Sequence, residues 1–314
     1  MSNFVNTITQ LGDEATVASI IGRTITEFND DIITTIGNNA FKDCERLKTL
    51  NIPNVTTLEV GAFENCVSLE SFNSSSITSM SSSFKGCTSL ESVNITAKNI
   101  SLMGDCFVGC TSLKSFSATK VTYIGQRAFQ NCSSLVSFTY SESTIGKISD
   151  YTFQGCSSLA SSLTFPTVTE LWGSAFKGCS LLPNVYLPSL TTMTNGSQFA
   201  DCTSLVYLDF PKLGKIERLC FQNCYALKTL ILRKDTAICT LNNINAFDGT
   251  PFASGGTGGK VLTPRSFIEP YQTGTNWSTL YAAGSCTFLA LEDYTIDGTI
   301  TGEIDWDKLN GGTT

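Results

Sequence analysis

A Phe-x-x-Cys-x-x-Leu core returns nine times along the chain, as AFKDCERL, AFENCVSL, SFKGCTSL, CFVGCTSL, AFQNCSSL, TFQGCSSL, AFKGCSLL, QFADCTSL and CFQNCYAL. The cysteines stand at Cys44, Cys66, Cys87, Cys110, Cys132, Cys156, Cys179, Cys202 and Cys224, 21 to 24 residues apart. Each has Phe three residues before it and Leu three residues after it. A period in this range marks a stacked repeat array. One turn of such an array cannot bury its own apolar side, so its neighbours must supply the missing wall.

Around this core the apolar positions continue. After most of the leucines comes an apolar residue three positions on, then another two further, as in Leu47, Leu50 and Ile52. That L-x-x-L-x-L run ends in an in-out alternation, which predicts a short strand. A second apolar pair precedes each Phe, as in Ile33/Ile36, Val121/Ile124 and Leu213/Ile216, and predicts a second extended segment before a tight turn. The Cys156 turn carries one extra residue before Leu163 and Phe165. A tenth turn keeps Ile238, Leu241 and Phe247 but has Thr250 where the cysteine belongs.

A residue at a fixed phase of stacked turns lies in a column, so the nine cysteines are expected to form a buried structural ladder. Small, weakly polar thiols suit a tight buried turn, and an S–H there can donate to a backbone carbonyl. Two sharper readings compete. A disulfide framework fits badly, because thirteen cysteines is an odd number and parallel ladder side chains reach the ~90° Cβ–S–S–Cβ twist poorly. A metal site fits badly too, because Cys106/Cys110 and Cys220/Cys224 are C-x-x-x-C pairs. Cys106 and Cys220 also fill the slot that alanine holds at positions 40, 62, 128 and 175.

Composition narrows the function. The chain has no histidine, which removes Ser-His-Asp and Cys-His nucleophiles and histidine metal sites. No catalytic residue, metal or cofactor is expected. An enzyme would need convergent carboxylates in a deep pocket, and no insertion large enough to build one interrupts the repeats. The charge of −7 is concentrated at the ends: −4 in residues 1–36 and −5 in residues 291–314, against +2 in between. No basic stripe for nucleic acid results. No apolar run of about 18 residues is present for membrane insertion. The first residues show neither a basic start nor an apolar core, so no secretory signal is read there.

The pattern [LI]-x-x-[IL]-G-x-x-AF-x-x-C-x-x-L-x-x-[IL]-x-[IL]-P, whole in TTIGNNAFKDCERLKTLNIP (34–53) and nearly so in YIGQRAFQNCSSLVSF (123–138), resembles the BspA-type leucine-rich repeat. The resemblance covers about residues 32–250. It implies a leucine-rich-repeat solenoid of mostly short parallel β-strands with turns, bearing a small helical N-terminal cap and an α/β C-terminal cap. It also implies surface-adhesion or partner-binding roles and supplies no catalytic residues. The expected organisation is an N-terminal cap over 1–32, with two short helices and a strand at 24–28. Repeats over 33–259, a strand–helix–strand capping module over 260–294 and an acidic tail over 295–314 follow.

Two surfaces are candidates for partners. Outward strand positions are small and polar through the first six turns, as in Thr49/Asn51 and Ser71/Asn73. They then change to Asn184/Tyr186, Tyr207/Asp209 and Thr229/Ile231. Tyrosine is enriched in binding hot spots, so Asn184, Tyr186, Tyr207, Asp209 and Ile231 are the expected partner site, for a surface protein or glycan; plain cross-strand packing is the competing reading. In the tail, Asp297-Gly298 predicts a two-residue hairpin turn between Ile296 and Ile300. Ile304 and Trp306 are either part of a loosely ordered tail or an attachment segment for other subunits of an assembly. The expected function is non-enzymatic recognition or adhesion at an extracellular surface. The alternative is a structural or receptor-binding component of a phage tail or other virion appendage.

Overall fold

The computed structural model of the chain describes residues 10–11, 24–253 and 255–311. In the N-terminal cap, where two short helices are expected, the described Gln10–Leu11 is a strand beside Thr35–Ile36; the rest of those helices lies outside the described residues. The chain divides into two compact units, Met1–Ser161 and Ser162–Thr314. The division falls inside the repeats, in the turn that carries the extra residue. Both units are stacks of parallel-strand turns, about ten in all.

In the first unit one column of strands follows the leucines: Glu27–Asn29 beside Thr49–Asn51, then Ser71–Ser74, Ser92–Ile95, Ser115–Ile124 and Ser137–Ser143. A second column holds Thr35–Ile36, Thr57–Leu58, Ser79–Met80 and Ile100–Leu102. All of these pairings are parallel and in phase with the repeat: Ser71 faces Ser92, and Ser92 faces Ser115. Alternation decides what is buried. Phe72 and Val93 point into the stack, while Ser71, Asn73 and Asn94 point out. Ser115–Ile124 runs from the first column into the second without a break, pairing with strands of both.

The second unit repeats the plan. Leu163–Thr164 pairs with Val185–Tyr186. Tyr207–Phe210, Thr229–Leu232, Gly259–Thr263 and Cys286–Ala290 then form a four-stranded parallel sheet. Its last two strands belong to the capping module, whose helices Ile268–Thr273 and Trp277–Ala282 lie between them in sequence. From sequence, Pro270 predicts an interruption near it in a Ser266–Tyr271 helix, but none occurs. Pro270 is the third residue of its helix, inside the first turn, where the missing N–H has no intrahelical partner to lose. Buried Trp277 donates its indole N–H to the Cys239 carbonyl at 2.7 Å, and the Tyr271 hydroxyl accepts from the Cys239 N–H at 2.7 Å. The cap thus satisfies the last turn's backbone as well as covering it. Tyr281 touches Phe288 but stays exposed.

The repeat core is a stack of phenyl rings beside a ladder of thiols. In the first unit Phe41, Phe63, Phe84, Phe107, Phe129 and Phe153 stack at centroid spacings of 5.0, 5.5, 5.6, 5.1 and 5.4 Å. In the second, Phe176, Phe199, Phe221 and Phe247 follow at 5.4, 6.0 and 5.4 Å. All thirteen cysteines are buried and none forms a disulfide. Seven ladder thiols donate to the carbonyl of the Phe one turn earlier: Cys66 to Phe41, Cys87 to Phe63, Cys110 to Phe84, Cys132 to Phe107, Cys156 to Phe129, Cys202 to Phe176 and Cys224 to Phe199, at 2.9–3.2 Å. Thr250 fills the slot in the tenth turn but donates to Phe247 of its own turn, at 2.7 Å.

The residue before each ladder position has positive φ, from Asp43 at 58° to Gly178 at 76°. This left-handed conformation explains why only Gly, Asn and Asp appear there. Neighbouring turns constrain one another further. Asn65 donates its amide to Asp43 at 2.9 Å, and a Cβ on Gly86 would lie 2.3 Å from Asn65 Oδ1. Gly86→Ala is therefore expected to cost about 2 kcal/mol from the left-handed backbone alone, and more from the clash. Urea unfolding checks this; a loss below about 0.5 kcal/mol, the range of a neutral surface change, would refute it. Adding Asn65→Ala to Gly86→Ala should recover the part due to the clash.

Candidate functional site

The five residues expected to form a partner site all lie in the second unit, on the outward side of its first strand column. Register sets their order: Tyr207 faces Thr229, and Asp209 faces Ile231, which faces Leu262. They do not share one environment. Tyr186 is 52% exposed. Asn184 is half-buried and donates its amide to the Tyr207 hydroxyl at 3.3 Å. Tyr207 lies under Trp306, with ring centroids 4.6 Å apart at 51°. Asp209 is held by Arg233, whose Nε donates to both carboxylate oxygens at 2.9 and 2.8 Å. Burial pushes the Asp209 carboxyl up, and the hydrogen bonds and charge of Arg233 pull it back down. Ile231 is only 1% exposed.

Ile231 therefore corrects the expectation of an accessible site. Its outward position in the strand was read properly, but a later part of the chain covers it. Ile231, Leu262, Leu291, Ile304 and Leu309 form one buried cluster, bordered by Tyr207, Leu289, Tyr294, Ile300 and Trp306. Residues 295–311 are folded on this face. Thr295 and Ile304 form an antiparallel bridge, and Ile296 donates its N–H to the Glu303 carbonyl at 2.9 Å. The expected two-residue hairpin between Ile296 and Ile300 is thus a wider loop. Asp297 accepts from the Thr299 N–H and hydroxyl, both at 2.9 Å, which turns the chain locally. Ile296 is left 70% exposed. Ile304 and Trp306, the expected attachment residues, meet this chain's own sheet.

Arg233 is the residue that the sequence reading missed. Besides Asp209, its Nη1 donates to the carbonyls of Ile300 at 2.7 Å and Gly302 at 2.9 Å. Lys260 likewise donates to the Leu309 carbonyl. Leu181 and Val206, also unremarked in the sequence, are 51% and 47% exposed, at turn positions that are mostly polar elsewhere. In the first unit the outward strand positions from Thr49/Asn51 to Ser137/Thr139 are Ser, Thr and Asn. A shallow groove of about 420 Å³ there is lined by Asn51, Asn73, Asn94, Ser74, Ser75 and Thr96, among others. Among the described residues no group of three or more Cys, Asp or Glu side chains is placed to hold a metal ion. No described helix is long and apolar enough to cross a membrane.

The family model for the BspA type leucine rich repeat region matches in six copies, over residues 22–136 and 105–228. The chain belongs to this family. BspA-type repeat proteins are typically surface proteins that mediate protein binding or adhesion. The comparison with curated proteins returns no relative. Among solved structures, this BspA-type chain is similar to a T. pallidum leucine rich repeat protein, at 26% identity and TM-score 0.35 over 48% of this chain and 72% of that one. It is also similar to a leucine-rich repeat protein from Bacteroides ovatus, at 19% identity and TM-score 0.45 over 90% and 87%. A leucine rich cell surface protein from Faecalibacterium prausnitzii matches at 18% identity and TM-score 0.38 over 88% and 85%. None of these findings points to a virion component.

Proposed function

We propose that this BspA-type chain is a non-enzymatic recognition module that binds a surface protein through the outward face of its second unit, around Tyr186. One observation carries this reading. Tyr186 is a half-exposed aromatic ring on a strand column whose earlier outward positions are Ser, Thr and Asn. Leu181 in the same turn and Val206 in the next are exposed as well. The ladder thiols are compatible with work at an extracellular surface. They are buried and engaged with carbonyls, so an oxidising compartment has little access to them.

The test is a panel of immobilised cell-surface and matrix proteins, with a glycan array alongside, probed with the intact chain. Tyr186→Ala is expected to weaken the binding found by about tenfold or more, with an unchanged thermal melt. Equal affinity of the two chains in the presence of an intact fold would sink the proposal. Binding confined to the glycan array would replace the protein partner by a sugar.

A further inference from the structure

We infer that residues 295–311 are a resident strap lying on a second, latent docking surface. The surface over Tyr207, Ile231 and Leu262 accepts, in place of the strap, an acidic peptide segment of another protein that carries an aliphatic residue and an aromatic one two positions later. The strap shows the chemistry of that segment. Ile304 and Leu309 are its apolar anchors, Trp306 lies against Tyr207, and its carbonyls at Ile300, Gly302 and Leu309 receive Arg233 and Lys260. Main-chain carbonyls belong to any peptide, so only the anchors and the charge are particular to this one. Residues 295–311 hold four acids and one lysine, and the sheet beneath carries Lys260 and Arg233, the latter already paired with Asp209.

The surface is built independently of what covers it. Leu230 and Val261 fill the interior of the four-stranded sheet, while the neighbouring Ile231 and Leu262 alternate to its other side. Earlier outward positions of the same phase, such as Thr164 and Tyr186, remain exposed. The apolar residues at Ile231 and Leu262 therefore serve an overlying segment rather than the interior. The strap's own hold is small. Ile304 and Leu309 are buried, Ile300 and Trp306 are half-buried and Ile296 stands in solvent. Segments with so few buried contacts open locally while the rest of a protein stays folded. Such a surface is occupied at rest and is freed when a better-fitting or more concentrated segment competes.

The inference rests on the sheet around Tyr207 and goes beyond the recognition reading, which is carried by exposed Tyr186. A fluorescently labelled synthetic peptide of residues 295–311 is titrated, by anisotropy, into the full-length chain and into a full-length chain with Ile304→Ser and Trp306→Ala. The weakened strap should let the peptide bind about 30-fold more tightly or better, because the tethered strap of the intact chain competes at millimolar effective concentration. A peptide carrying the same two substitutions should bind neither chain. In hydrogen exchange of the intact chain, amides of 295–311 should exchange well before those of Thr229–Leu232. Equal binding by the two chains would overturn the inference. So would loss of the cooperative unfolding transition in the substituted chain, which would make the strap part of the core. Tyr186→Ala should leave peptide binding unchanged, so the two proposals fail separately.

Discussion

Raising the pH from 7 to 9.5 is expected to remove most of the stability of both units. Burial pushes up the thiols of Cys66, Cys87, Cys106, Cys110 and Cys132 in the first unit. It does the same to Cys202, Cys220, Cys224, Cys239 and Cys286 in the second, the last three to about 12 for Cys224, Cys239 and Cys286. An unfolded chain sheds thiol protons from about pH 8.5, where the folded chain keeps them. The unfolded state then binds fewer protons, so stability is whole below about pH 8 and falls as the pH rises. At pH 9.5 each such thiol subtracts about 1.4 kcal/mol, and five per unit subtract about 7 kcal/mol. A domain has about 5–15 kcal/mol in total. Urea unfolding at pH 7, 8.5 and 9.5, under reducing conditions, measures this directly. Cys132→Ala should make the total alkaline loss at pH 9.5 smaller by about 1.4 kcal/mol. A flat profile from pH 7 to 9.5 would mean that the sulfurs are in contact with water and that the ladder is wrongly placed.

Phe129→Ala is the single substitution expected to do most damage. The ring stacks on Phe107 at 5.1 Å and Phe153 at 5.4 Å, and meets Phe116 and Phe138 edge-on at 5.2 and 5.3 Å. Removing it leaves a cavity bounded by four aromatic neighbours, for a cost of about 3–5 kcal/mol. In a repeat stack each turn is stabilised mainly by its neighbours. The loss should therefore lower the denaturant midpoint of the first unit as a whole. Val136→Ala, an exposed control in the same turn, should change stability by less than about 0.5 kcal/mol. If the two variants unfold alike, the phenyl column does not hold the stack together.

The periodic part of this fold was legible because periodicity reports phase, and phase reports burial. The Phe, Cys and Leu columns, the paired strands and even the alanine-like role of Cys106 and Cys220 follow from position alone. Both of those thiols are fully buried. The candidate site was only half legible. Outward direction at Ile231 could be read from alternation, but exposure could not, because that depends on what else reaches the same face. Trp306 meets Tyr207 from a segment with no repeat, and no spacing rule connects the two. Arg233 was invisible for the same reason: its partners at Ile300 and Gly302 are backbone oxygens, which leave no mark in the side-chain pattern. Pro270 shows a different limit. Whether a proline breaks a helix depends on its distance from the helix start, and that start at Ile268 is a single residue's choice.

The direction of the thiol-to-carbonyl bonds has a consequence for how such chains change length. The ladder thiols from Cys66 to Cys156 each reach back one turn, so an internal copy of such a unit arrives with its own link to its predecessor. Gene duplication within the Cys-bearing run can therefore extend the protein with no compensating change elsewhere. A copy of the Thr250 turn would bring no such link, since its hydroxyl closes on Phe247, which makes that turn the natural terminus of evolutionary growth.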